Sequence, residues 1–404
     1  MRVELPLLRE AARRFLAFSP GPEREVRVFF APGRVNVIGE HIDYNGGRVF
    51  PAALSLGNWL FARPRAGRSA RFASTVFPGE FTVDLDRLLF DPADGFANYP
   101  KGVMWALHPL GARAAGGDFL FAGNLPGGAG LSSSASVELA AAVAVNALCG
   151  AELPMLELVK ACQRAENQFV GVNSGIMDQF ASGMGRAEHA VLLDTATLAY
   201  EYVPLVLGEH RLVVANTNAP RGLADSRYNE RRGECERALA ALRRARPGLA
   251  HLAELAPSEF AAAAAACAWD DPALVRRARH VVEENARVSR AVAALRAGRL
   301  AELGGLLNAS HRSLRDDYEV TGPHLDALAE AAWAVPGCLG SRMTGAGFGG
   351  CTVSLVRADG TDAFAARVQA AYRRATGLAA SFYVSEIGDG AREVTEEAAD
   401  TWRF

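Results

Sequence analysis

Lysine is nearly absent from this chain of 404 residues, with Lys101 and Lys160 standing against 41 arginines. Together with the abundance of alanine, that imbalance reads as coding bias and a lean toward heat tolerance, not as a binding signal. Net charge is missing too: the formal value is −2, so there is no general attraction to nucleic acid or to an anionic membrane, and any anion site must be local. Cysteine is sparse. Cys149, Cys162, Cys235, Cys267, Cys338 and Cys351 form no C-x-x-C pair and have no nearby histidine partner. A zinc site or disulfide framework is therefore not expected, and reduced thiols of the cytoplasm fit the pattern. No stretch approaches the roughly 20 apolar residues that cross a bilayer. At the N-terminus Arg2, Glu4, Arg9 and Glu10 interrupt the chain before an apolar run reaches signal-peptide length, so secretion is not indicated.

What is present describes an ordinary globular protein, 50% apolar and 22% charged. Its length suggests two domains, expected over residues 1–207 and 208–404. Leu8, Ala11, Ala12, Phe15 and Leu16 trace one face of a first helix. Residues from Glu25 to Phe30 alternate as a strand does. They lead to Pro32-Gly33, a short apolar piece, and Asn45-Gly46-Gly47, which predicts a loop, a short strand and another loop. Leu153 to Phe169 has helical periodicity. So have Leu274, Val281, Val288 and Leu295, joined on the same face by Val292, with the charges of that helix expected on a solvated surface.

The stretch Gly123 to Ser136 looks like a phosphate cradle. Gly123, Gly127, Gly128 and Gly130 precede a serine run and an alanine-rich segment. Glycines let backbone N–H groups converge on an anion, and a helix beginning near Ser133 adds its unpaired amides and the positive end of its dipole. No lysine lies nearby, so this is not a Walker A loop.

Glu40, His41 and Asp43, beside Tyr44 and Gly46-Gly47, offer several acceptors and a donor to a polyhydroxylated ligand such as a sugar. Glu166, read alone, is a solvated charge near a helix end. Asp178, flanked by Gly175 and Gly183, opens another helix. Phosphoryl transfer to an alcohol needs a carboxylate for the hydroxyl proton, a cation to offset charge on the transferred group, and a phosphate cradle. Asp178, Arg34 and the glycine-serine loop supply those three. A third cluster, Gly345 to Gly350, formally satisfies G-x-G-x-x-G, but a strand-like run follows it where a dinucleotide fingerprint opens a helix. Close backbone approach to a ligand or to the first domain explains its glycines better.

Gly33 to Asn36 with Gly39 to Gly47, the glycine-serine loop, and Met343 to Cys351, taken in that order, resemble the three motifs of the galactokinases of the GHMP small-molecule kinase family. Further matches at Ala165 to Gln179, Ser226 to Arg232 and Ser310 to Val320 extend the resemblance over nearly the whole chain. It implies an α/β (α+β) architecture of two domains, the first a mixed sheet with helices, the second an antiparallel sheet with helices, and an active site between them. The implied reaction transfers the γ-phosphoryl group of ATP to the anomeric hydroxyl of α-D-galactose with Mg²⁺. By resemblance Asp178 is the catalytic base and Arg34 its electrostatic partner. Glu40, His41, Asp43, Gly175 and Tyr228 match sugar-binding positions. Gly127, Gly128, Gly130, Leu131, Ser132, Ser133, Ser134 and Ala135 match the ATP loop, and Ser134 and Glu166 match metal-holding positions.

Ser174 stands where many relatives carry cysteine, and Phe96 where tryptophan is often found; neither is assigned a role in the chemistry. Two rivals stay open at this point: a kinase of the same family acting on N-acetylgalactosamine or arabinose, and a non-catalytic sensor of galactose and ATP. No nucleic-acid or membrane partner is expected.

Overall fold

The computed structural model of the chain describes residues 5–126, 130–220 and 224–402. A six-stranded mixed sheet runs in the order Arg392–Glu393, Arg27–Asn36, Pro51–Pro64, Gly117–Gly123, Ser69–Ser74, Glu80–Asp84. Among the described residues only the pairing of Ser69–Ser74 with Gly117–Gly123 is parallel. Its strands alternate between two apolar layers, as a period of two requires. Val28, Phe30 and Phe61 meet Leu8, Ala11, Ala12 and Phe15 of the helix Leu5–Phe18 on one face. Phe29, Ala31 and Leu60 join the main core on the other, where the helices Asn98–Leu107 and Ser133–Cys149 pack. A three-stranded sheet, Arg48–Val49, His189–Asp194 and Tyr200–Pro204, lies alongside.

The second domain holds an antiparallel sheet in the order Cys338–Thr344, Cys351–Arg357, His210–Asn216, Ser381–Val384. The helices Gly322–Trp333 and Thr361–Thr376 cover one face through Leu328, Phe364, Val368 and Tyr372. The helix Leu300–Ser313 covers the other, where Leu212 and Val214 belong to the same apolar cluster as the first sheet. Gly345 to Gly350 thus joins two antiparallel strands. None of the helices among the described residues is long and apolar enough to cross a membrane.

Two expectations are corrected. Pro32-Gly33 is not a turn: Arg27–Asn36 runs straight through it as one strand, with a register shift between Pro32 and Arg34. A bulge tolerates the missing proline N–H. Gly33 is there for clearance, since a Cβ on it would stand 2.6 Å from the Leu131 carbonyl oxygen. The last strand, Arg392–Glu393, returns to the first sheet, pairing Phe29 with Glu393. In the helix Pro272–Arg296, Leu274, Val281, Val288, Val292 and Leu295 are buried as anticipated, but so are Arg277, His280, Glu284 and Arg287. These side chains do not face solvent: Glu284 and His280 bond to the backbone of Gly39 and Glu40 in the first domain, while Arg277 and Arg287 pair with carboxylates of the second.

Candidate active site

One cavity between the domains is lined by Arg34, Glu40, His41, Asp43, Ser134, Glu166, Gly175, Asp178 and Tyr228, together with Gly345 and Ala346. These residues come from widely separated parts of the chain. Asp178 sits in the first turn of the helix Met177–Met184, and Arg34 lies in the strand Arg27–Asn36. The guanidinium holds the carboxylate in a two-point fork, Nε to Oδ1 at 2.8 Å and Nη2 to Oδ2 at 3.1 Å, while Nη1 donates to the Gly130 carbonyl at 2.8 Å. Arg34 is 3% exposed and Asp178 27%, so the carboxylate faces the cavity and the cation backs it. Burial alone would lower the Arg34 pKa, but the carboxylates of Asp178, Glu40 and Asp43 outweigh it and hold the guanidinium charged.

The helix Ser133–Cys149 starts where expected, after Ser132 in a left-handed conformation with φ of 58°. Gly127 and Gly128 lie outside the described residues. Gly130, Leu131, Ser132, Ser133, Ser134 and Ala135 form the turn and the head of the helix, whose first amides have no intrahelical acceptor. The Leu131 carbonyl accepts from the Arg34 amide at 3.1 Å, pinning the loop to the strand. The buried Ser132 Oγ has no partner among the described residues. Such a helix head, with a donor hydroxyl to spare, suits an anion.

Glu166 is not the solvated charge its surroundings in sequence suggest. The helix Met155–Arg164 passes into a π-helical turn, Ala165–Val170, and that widened turn swings Glu166 inward to 6% exposure. Ser174 Oγ donates to Glu166 Oε2 at 2.6 Å and Gln179 Nε2 donates to it at 2.7 Å; Ser134 is also within hydrogen-bond reach. Burial raises the Glu166 pKa, opposed by these donors. Gln179 Nε2 also donates to Glu138 Oε2 at 3.0 Å. Burial, and then the nearby Glu166, pushes the Glu138 carboxyl well above the usual range. Glu138 and Gln179 were not foreseen as part of the site, although Glu138 is the only charged residue in an otherwise apolar and small helix. That was the available signal.

On the sugar-motif side, Glu40 is paired with Arg342 at 2.7 Å, both fully buried; burial raises the Glu40 pKa against the pull of Arg342 and Arg34. Asp43 accepts from the backbone of Met177 and Tyr44, and burial, then the charges of Asp178 and Glu40, push it up to about 7. His41 spends both ring nitrogens inside the protein, Nε2 on the Ala346 carbonyl at 3.1 Å and Nδ1 on the Tyr44 hydroxyl at 2.8 Å. It therefore shapes the wall and offers no free nitrogen. Tyr228 packs on His41 and Tyr44 with ring centroids 5.5 and 5.4 Å apart.

The motif is held from across the interface. Glu284 Oε1 accepts from the amides of Gly39 at 3.0 Å and Glu40 at 3.3 Å and from Ser310 Oγ at 2.6 Å. Arg342 donates to the carbonyls of Asn36 and Val37 at 2.8 and 3.1 Å. Gly345, with φ of +91°, approaches the phosphate loop so closely that a Cβ would lie 2.6 Å from the Gly130 carbonyl oxygen. The third glycine cluster thus serves close approach between domains. No local sequence signal points to Arg342 or Glu284.

No group of three or more His, Cys, Asp or Glu side chains among the described residues could hold a metal by itself. One carboxylate and one hydroxyl, Glu166 and Ser134, at the head of the helix Ser133–Cys149 nevertheless fit Mg²⁺, which takes one or two protein oxygens and completes its shell with phosphate and water.

Comparison with known proteins gives the family. The chain matches the galactokinase galactose-binding signature at residues 11–64, the GHMP kinases N terminal domain at 98–186 and the GHMP kinases C terminal domain at 291–374. It is 51% identical to the galactokinase of Fusobacterium nucleatum over 373 residues, 92% of this chain and 95% of that one. It is 47% identical to the galactokinase of Bacillus subtilis over 393 residues, 96% of this chain and 100% of the other. The crystal structure of Lactococcus lactis galactokinase complexed with galactose superimposes with a TM-score of 0.91 at 45% identity, covering 95% of this chain and 98% of that one. A mevalonate kinase shares the fold at a TM-score of 0.64 and 15% identity, over 90% of this chain and 99% of its own.

Proposed function

The chain belongs to the galactokinases of the GHMP kinase family, and on that premise we propose that it transfers the γ-phosphoryl group of ATP to the anomeric hydroxyl of galactose through Asp178 and Arg34. The observation that carries the reading is the fork between these two side chains at the junction of a helix-head anion site and a cluster of carboxylates and tyrosine.

In this reaction the anomeric oxygen forms a bond to the γ-phosphorus as the bond from that phosphorus to the β–γ bridging oxygen breaks. ADP leaves, and the hydroxyl proton passes to Asp178. Positioning and electrostatics carry most of such a transfer. Asp43, Glu40 and Tyr228 bind and orient the sugar. The loop from Gly130 to Ala135 receives the phosphates through backbone amides and serine hydroxyls. Arg34 balances the carboxylate and the charge on the phosphoryl oxygens. Glu166 and Ser134 would hold Mg²⁺, which when bound would neutralise phosphate charge. The two domains divide ahead of the strand His210–Asn216, with the tail from 392 on the first, and the six free thiols suit a cytoplasmic enzyme.

The test is ADP release with Mg-ATP over a panel of galactose, glucose, N-acetylgalactosamine, arabinose and mevalonate, with the product identified. Turnover favouring galactose, with phosphate on the anomeric oxygen, upholds the reading. A higher kcat/KM for another sugar moves the substrate, and no turnover at all removes the catalytic assignment.

A further inference from the structure

Tyr318 takes no part in the reaction as described, yet it stands in a ring of hydrogen bonds whose every proton can be assigned. A carbonyl only accepts, so His41 Nε2, 3.1 Å from the Ala346 oxygen, carries the imidazole proton. Burial, followed by the neighbouring His280, lowers the His41 pKa to about 3, which leaves no second proton. Nδ1 must accept, and it does so from the Tyr44 hydroxyl at 2.8 Å. With that proton spent, Tyr44 can only accept in its 2.8 Å contact with the Tyr318 hydroxyl. Tyr318 in turn accepts at 3.0 Å from Cys235 Sγ, whose S–H is the remaining donor. Asn45 Nδ2 closes the ring, donating to the His41 carbonyl at 3.1 Å and lying within reach of the Cys235 sulfur.

The participants come from four segments. His41, Tyr44 and Asn45 belong to the sugar motif, Ala346 to the third glycine loop, Tyr318 to the π-helical turn Leu314–Tyr318, and Cys235 to the helix Ala224–Arg243. Tyr318 and Cys235 are fully buried. Tyr318 also packs its ring 4.9 Å from that of His41. His41 itself is held at φ of 62°, a backbone state that a side chain other than glycine enters only under support.

We propose that Tyr44, Tyr318 and Cys235 are positioning residues that hold the His41 ring by its Nδ1 while Ala346 holds it by Nε2, and thereby fix the His41–Ala346 wall of the sugar cavity. The proposal rests on the sugar-kinase reading. None of the three reaches the transferring phosphoryl group through this ring, so the effect falls on sugar recognition and not on the chemical step.

The test compares Tyr318→Phe, Cys235→Ala and Cys235→Ser in the full chain. Phenylalanine removes one oxygen at nearly constant volume; serine keeps a donor and alanine deletes it. Tyr318→Phe and Cys235→Ala are expected to raise the galactose KM about three- to tenfold, the scale of one hydrogen bond, with kcat within about twofold of wild type. Cys235→Ser is expected to stay near the wild-type KM. ¹⁵N-histidine spectra of the free protein should show His41 as the Nε2–H tautomer in all four proteins, with the Nδ1 resonance unshifted in Cys235→Ser and displaced from its wild-type position in Tyr318→Phe and Cys235→Ala, where the Tyr44 hydroxyl is no longer held in line. Equal KM changes for Cys235→Ser and Cys235→Ala, or a Tyr318→Phe protein with unchanged KM and unchanged His41 signals, would overturn the proposal. Because these signals are read without turnover, a wild type inactive on galactose whose His41 signals still respond to Tyr318→Phe would sink the substrate reading and uphold the ring.

Discussion

Gly175 lies against Asp43 so closely that a Cβ on Gly175 would fall inside the carboxylate oxygen Oδ2. The glycine before the Ile176-Met177-Asp178 run is thus less a ligand of the sugar than the clearance that lets Asp43 stand in the cavity. Its sequence partner in function is 132 positions away, and nothing local in the chain announces it.

Gly175→Ala is accordingly expected to push Asp43 off its position. The galactose KM should rise by about tenfold or more, as loss of a placed polar contact does, with the ATP KM little changed. Steady-state kinetics with each substrate varied separately check this; an unaltered galactose KM would show that Asp43 can give way freely.

Asp178→Asn keeps the shape of the side chain but cannot take the proton. We expect kcat to fall about 10²- to 10⁴-fold, the usual reach of a positioned base, while calorimetry still detects galactose binding. Arg34→Lys should also lower kcat, because an ammonium cannot reproduce the two-point fork on Asp178 or reach the Gly130 carbonyl at once. Full turnover by either variant would remove that residue from the mechanism.

Asp43, at about 7, titrates in the working range and ionises as pH rises. An ionised carboxylate accepts from two sugar hydroxyls, so kcat/KM for galactose should climb through about pH 7. Asp43→Asn should flatten that limb. The nearby Asp178 makes the profile a property of the pair, and a limb that survives in Asp43→Asn would assign it elsewhere.

Acid should loosen the interface. His280 and His41 have folded values of about 4 and about 3, below the ordinary 6.5, chiefly through burial. The unfolded chain therefore takes up protons first, and their contribution, complete above pH 6.5, declines as pH falls toward 4. Glu284 is lowered from 4.5 to about 2, where Arg287, His280 and Arg342 overcome its burial, so its contribution is lost as pH falls from 4.5 toward 2. Tm measured from pH 8 to 3 should drop in two stages, and Glu284→Gln should remove most of the lower one. A flat Tm between pH 7 and 5 would contradict the buried neutral histidines.

Much of the site could be read from residues close in the chain. The glycine-serine loop and the helix after it, Asp178 in a first helical turn, and the carboxylates at 40 and 43 are short-range patterns. The structure brings them to one cavity. Glu166 was legible only through family resemblance, because helical periodicity has no term for the π turn that swings it inward. The charges of Pro272–Arg296 misled for a related reason. A hydrophobic face shows which side of a helix is buried, but Glu284 is buried on account of amides 245 and 244 residues away.

The sequence by itself determined the elements and the chemistry on offer: periods of two and 3.6, glycines before a serine-headed helix, one aspartate and one arginine suited to phosphoryl transfer. Tertiary structure decided which of these groups meet and in what state. It set Arg34 in a fork on Asp178 across 144 residues and Arg342 on Glu40 across 302, and it turned both nitrogens of His41 inward. The reason is physical. Periodicity and turn chemistry depend on neighbours a few residues apart, whereas burial, charge pairing and the direction of a hydrogen bond depend on groups that only the folded chain brings within about 3 Å.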